Sequence, residues 1–220
     1  MMKTIVRKYV QKIIILMNNY IMTTYTWIPD SGLHEWNVND NWVLGSYPND
    51  FDAIVRLNPN SIENQTIDVN ALINLNKLII PECSYEYLLD RMLLTFGGTD
   101  AKIEKLGANN FRTTSIICLN NDLEIYTDLN SIVYIDGQFS NQKNITLTGF
   151  GKVIFTNNNS YDKTYVGANV TLQISDYTDR GTAGNGDIYN DGTINVTTKG
   201  VTQLPNTIHG SGVVTYDPGL

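Results

Sequence analysis

A chain of 220 residues, 42% hydrophobic and 17% charged, is long enough to bury one sizeable core and too apolar to be disordered throughout. The net charge is −7, and residues 1–21 carry Lys3, Arg7, Lys8 and Lys12 with no acid, which leaves −11 on everything after Ile21. So acidic a body repels phosphate backbones and anionic lipid, and nucleic acid is not an expected partner.

Residues 1–21 read as a separate extension. The basic stretch runs into Ile13-Ile14-Ile15-Leu16-Met17 and then Asn18-Asn19-Tyr20. A secretory signal has an apolar centre of about 7–15 residues before a small-residue cleavage site; this run is shorter and no such site follows. It also falls short of the about 20 apolar residues that span a bilayer, so no transmembrane span is expected. Three readings stay open: a start at Met22 or an unstructured extension, a degenerate signal or anchor, and an amphipathic helix.

The head, residues 22–64, holds all three tryptophans: Trp27, Trp36 and Trp42. Rings that bury about 150–250 Å² each can finish an open coil by lying across its end. The expected role is therefore an aromatic cap. A row of rings stacking on sugars is the alternative, and exposure decides between them.

From Gln65 onward the chain is a relay of short β-branched runs cut by Asn, Asp or Gly: Thr66–Val69, Arg91–Phe96, Thr114–Leu119, Leu123–Thr127, Ser131–Ile135, Asn144–Leu147, Lys152–Thr156, Asn169–Ile174, Thr193–Thr197 and Gly212–Tyr216. Such runs fit a pleated, half-buried surface, and their punctuation tolerates the left-handed backbone of a corner. The class is all-β. Stacked rungs of roughly 20–25 residues, six or seven of them over 65–216 within a β-helix domain of 65–220, would bury a continuous interior that one rung cannot. An antiparallel sandwich or jelly roll is the rival, supported by Asp136-Gly137 and Asp191-Gly192. Two segments look irregular. Asp68–Glu86 reads as a strand plus a loop or short helix, and apolar residues at 85, 88, 89, 92 and 93 predict a helical turn over Tyr85–Leu94.

Signals for chemistry are sparse. Cys83 and Cys118 lie in apolar stretches and read as small buried hydrophobes; whether they pair is open. His34 and His209 have no neighbouring Ser, Cys or Asp that suggests a relay. Gly184–Gly192 resembles one loose copy of a calcium-roll nonapeptide, and a single copy predicts a loop, so no metal and no cofactor is assigned. Acids that could act on a polysaccharide are Asp136, Asp162, Asp176, Asp179 and Asp187, with Arg180 as a charge stabiliser. Solvated corner decoration is the expected role for these; the cluster Asp176, Asp179, Asp187 and Asp191 is a weak one. Five Asn-x-Ser/Thr triplets begin at Asn64, Asn144, Asn158, Asn169 and Asn195 and read as incidental in so Asn-rich a chain.

Trp27, Gly32, Trp36, Asn37, Asn41, Trp42, Gly45, Pro48, Asp52, Ala53 and Ile54, with the tail His209–Tyr216, resemble the opening and the rung ends of extracellular β-helix proteins of bacteria and large viruses, the autotransporter-passenger-like surface repeat proteins. The resemblance implies a right-handed parallel β-helix behind a Trp-rich head and a non-enzymatic role as a structural or adhesive module. The implied location is extracellular, on a cell surface or a virion, with surface components, glycans or further copies of the chain as partners. A carbohydrate-binding module or a polysaccharide-degrading β-helix enzyme is the alternative.

Overall fold

A computed structural model describes residues 22–91 and 93–217. Strands follow one another in short steps: β1 (Thr23–Thr26), β2 (Gly32–Glu35), β3 (Ala53–Arg56), β4 (Gln65–Val69), β5 (Ile73–Leu75), β6 (Lys77–Ile80), β7 (Tyr87–Arg91) and β8 (Leu93–Phe96). They continue as β9 (Lys102–Lys105), β10 (Asn110–Thr113), β11 (Ile116–Leu119), β12 (Leu123–Thr127), β13 (Ile132–Ile135), β14 (Phe139–Ser140), β15 (Ile145–Gly149) and β16 (Lys152–Phe155). The last are β17 (Thr164–Val166), β18 (Thr171–Ile174), β19 (Ile188–Asn190), β20 (Thr193–Val196), β21 (Ile208–His209) and β22 (Val213–Tyr216). Among the described residues a single 3-10 turn, at Asn39–Asn41, interrupts them.

Each strand pairs with one from the next coil. The first sheet runs β1-β3-β6-β9-β12-β15-β17-β19-β21, the second β2-β4-β7-β10-β13-β16-β18-β20-β22, and a short third β14-β11-β8-β5. All the strand pairs are parallel, which excludes the antiparallel sandwich; the isolated bridge Trp27–Trp42 is antiparallel. The chain is a right-handed parallel β-helix that makes about seven turns. The head belongs to it, because β1, β2 and β3 begin the two long sheets.

Side-chain alternation makes the core. In β12, Leu123, Ile125 and Thr127 face inward and Glu124 and Tyr126 outward. Parallel register then stacks like on like: Leu78, Ile103, Ile125, Leu147 and Val166 form one interior column. Tyr87, Phe111, Val133, Val153, Leu172 and Ile194 form another. Burying each such side chain contributes about 1.5–3 kcal/mol. Phe139, Phe155 and Tyr161 meet edge to face, with centroids 5.3–6.2 Å apart.

Asparagine works at the corners by bonding the backbone of adjacent coils. Asn159 accepts Phe139 N at 2.9 Å and donates to Thr182 O at 2.8 Å, so one side chain ties three coils together. Asn130 and Asn141 take left-handed φ values of 63° and 77° there.

The irregular segments resolve as strands. Asp68–Glu86 contributes the end of β4, then β5 and β6. The helical turn expected over Tyr85–Leu94 is instead β7, a corner and β8. Tyr87 and Leu89 face inward before the corner, Leu94 and Phe96 after it. Arg91, at φ 78°, shifts the phase by one residue between them, and the helical spacing came from Tyr85, Leu88 and Leu93, which do not face the core.

Candidate functional site

Trp27, Trp36 and Trp42 are 1%, 0% and 1% exposed. Trp42 lies edge to face with both others, at 4.9 Å from each. Every indole N–H is satisfied: Trp27 donates to Gln65 Oε1 at 2.9 Å, Trp36 to Pro48 O at 3.1 Å and Trp42 to Trp36 O at 2.8 Å. Without an open ring face these residues cannot stack on a sugar; they plug the first coil. His34 belongs to this plug, edge-on to Trp27 at 6.2 Å and 2.7 Å from Ser31 O.

The sequence-predicted acids do not converge. Asp176 and Asp179 are exposed in the bend at 175–181. Asp187 precedes β19 and meets His209 Nε2 at 3.1 Å. Asp191 follows the same strand, and four extended steps separate the two by about 13 Å, wider than the ~5–9.5 Å of glycosidase carboxylate pairs. Asp136 is already engaged, by Thr156 at 2.7 Å and by Arg112 at 3.2 Å. Among the described residues no three His, Cys, Asp or Glu side chains are grouped to hold a metal ion. Cys83 and Cys118 are unpaired and half-buried rather than fully so. The Cys83 thiol donates to Tyr85 O, and each sulfur accepts an asparagine Nδ2, from Asn109 at 3.1 Å and Asn141 at 2.9 Å.

The outer face of the first sheet carries what sequence reading missed. Its column Lys77, Lys102, Glu124, Thr146, Tyr165, Tyr189 and His209 is in register from β6 to β21. The first half is a charge zipper: Lys77–Glu104 at 2.8 Å, Lys102–Glu124 at 3.2 Å, and Lys102 over the Tyr126 ring at 5.2 Å. The second half is aromatic. Tyr165 stacks on Tyr189 at 4.9 Å and 11°, and Tyr189 on His209 at 4.9 Å and 21°. Rings stacked this way use their faces on one another and turn their edges to solvent. Spacings near the coil length are the only sequence trace of the column.

Lys105 is the other surprise. It points into the interior with 0% exposure, and its Nζ donates to Leu106 O, Gly107 O and Asn109 Oδ1. Burial pushes its pKa down to about 8, against the pull of Cys83, Asp128 and Glu82. Between pH 8 and 10.5 the unfolded chain therefore binds the proton that the folded chain has lost, so stability should rise with pH by about 3 kcal/mol. Burial raises Tyr87 to about 12 and raises Tyr161 too, so above pH 10 the unfolded chain sheds protons that the folded one keeps, and stability should fall. Denaturant titrations at pH 7, 9.5 and 11.5 should give the greatest stability at the middle value. In Lys105→Met the rise below pH 10 should vanish while the fall above it stays.

No helix among the described residues is long and apolar enough to cross a membrane. Comparison with family models, with curated proteins and with solved structures returns no match, so the fold and the side-chain geometry carry the functional reading.

Proposed function

We propose that the chain is a non-enzymatic structural or adhesive module of a cell surface or virion. The observation that carries this reading is the outer column from Lys77 to His209, seven residues in coil-to-coil register with ion pairs in its first half and ring stacking among its last three members. Parallel coils space such groups about 4.8 Å apart on a rigid plane, which suits extended contact with a repetitive partner better than enclosure of a small molecule. The three tryptophans add to it by closing one end of the stack. Fractionation and immunogold electron microscopy with antibody to the purified protein should place it on the envelope or the particle. Label spread evenly through the soluble cell contents would sink the proposal.

Glycan binding is the second reading, favoured by the solvent-facing edges of Tyr165, Tyr189 and His209. It predicts a glycan-array signal that His209→Ala and Tyr189→Ala reduce at least tenfold. A flat array removes it and leaves the structural reading standing.

A further inference from the structure

The tryptophan plug has an outer face, and that face is apolar. Trp27 and Trp42 form an antiparallel bridge with both rings buried in the core. Ile28 N donates to Asn41 O at 2.9 Å and Val43 N to Thr26 O at 3.0 Å, so the residue after each tryptophan turns to the opposite side of this ribbon. Ile28 and Val43 stand diagonally across it, within reach of one another. Leu44 follows in the turn that Gly45 N closes on Trp42 O. The three side chains are 47%, 63% and 52% exposed.

Carboxylates rim this face. Residues 22–55 hold Asp30, Glu35, Asp40, Asp50 and Asp52, all exposed, and contain no Lys or Arg. Asp40 is one residue from Asn41, which bonds Ile28, and Asp52 precedes Ala53, the partner of Thr23 in β3. Bare aliphatics inside an acidic rim suit an occupant that is apolar and cationic together. Residues 1–21, which lie outside the described residues, have that composition: Lys3, Arg7, Lys8 and Lys12 without an acid, then Ile13–Met17.

The point of attachment also fits. Val43 lies opposite Thr26, four residues along β1 from Met22, or about 13 Å. The chain from Met17 to Met22 spans about 17 Å when extended, enough for the apolar run to return over the plug. A tethered segment also meets the face at high effective concentration. A second copy would instead set one acidic rim against another, and anionic lipid would be repelled in the same way.

We propose that residues 3–17 dock on the outer face of the plug. Ile13–Met17 cover Ile28, Val43 and Leu44, while the four cations lie along the rim of Asp30, Asp40, Asp50 and Asp52. The stack is then closed at this end by two layers, the tryptophans and the segment that precedes them.

The test treats the full chain with a zero-length carbodiimide, which joins amines to carboxylates in contact, and maps the linked peptides by mass spectrometry. Lys77–Glu104 and Lys102–Glu124, at 2.8 and 3.2 Å, serve as internal standards. Lys3, Lys8 and Lys12 should link to the rim acids with yields close to the standards. Val43→Asp and Leu44→Asp each add negative charge, which strengthens a purely electrostatic contact, so a fivefold or larger loss of these links reports the apolar one. Both positions are exposed, and unchanged standards show the coils intact. Links scattered over distant acids such as Asp136 and Asp217 overturn the proposal, as do links that persist in both variants. Links joining labelled to unlabelled chains in an isotope mixture overturn it by assigning the face to a second copy. Flotation of the full chain with phosphatidylglycerol vesicles overturns it by giving the segment to a membrane, and native protein that starts at Met22 overturns it outright.

Discussion

Replacing Trp42 with alanine should lower the unfolding free energy by about 3–5 kcal/mol, the range for emptying a buried aromatic site. Trp42 is the middle ring of the plug, so its loss removes both edge-to-face contacts, to Trp27 and to Trp36. Its indole also donates to Trp36 O, and that carbonyl would be left buried without a partner. Adjacent coils cannot collapse into the gap, because Gln65 is fixed by its bonds to Trp27 Nε1 and Pro29 O. Urea titration monitored by circular dichroism reads the loss. Trp42→Phe should recover roughly half of it by restoring ring packing without the donor. A Trp42→Ala protein as stable as wild type would mean that the plug contributes nothing to closing the stack.

Gly149→Val should cost about 4 kcal/mol or more, or prevent folding outright. Gly149 sits at φ +100°, and a Cβ there would lie 2.0 Å from Thr127 O in the coil below. That carbonyl accepts two N–H groups, Phe150 at 2.7 Å and Gly151 at 3.3 Å, so moving it aside breaks the link between coils. Backbone strain and steric clash can be separated with Gly200→Ala. Gly200 has φ +73° but nothing within 4 Å of the added carbon, so only the conformational penalty of about 1 kcal/mol should appear. Equal losses in the two variants would show that clash between coils plays no part.

Much of the architecture was legible before any coordinates. Runs such as Leu123–Thr127 announce strands by alternation, because successive side chains of a strand point to opposite faces whatever the strand pairs with. Asn130 and Asn141 mark corners because few other residues accept their φ values cheaply. Three large rings within sixteen residues have few ways to leave water except against each other, and Trp27, Trp36 and Trp42 are buried edge to face in that way. Tyr85–Leu94 misled, because exposed Tyr85 and half-buried Leu88 and Leu93 are apolar without facing the core, and with inward Leu89 they fall at helical spacing.

What the tertiary structure alone decided is which outward residues become neighbours. Tyr165, Tyr189 and His209 meet only because the intervening corners have the lengths they do, and a one-residue change in any corner would slide the whole column. The inward burial of Lys105 depends on the same coil-to-coil register. Period-two alternation is local and survives in the sequence. Register accumulates over corner lengths and exists only once the coils are stacked.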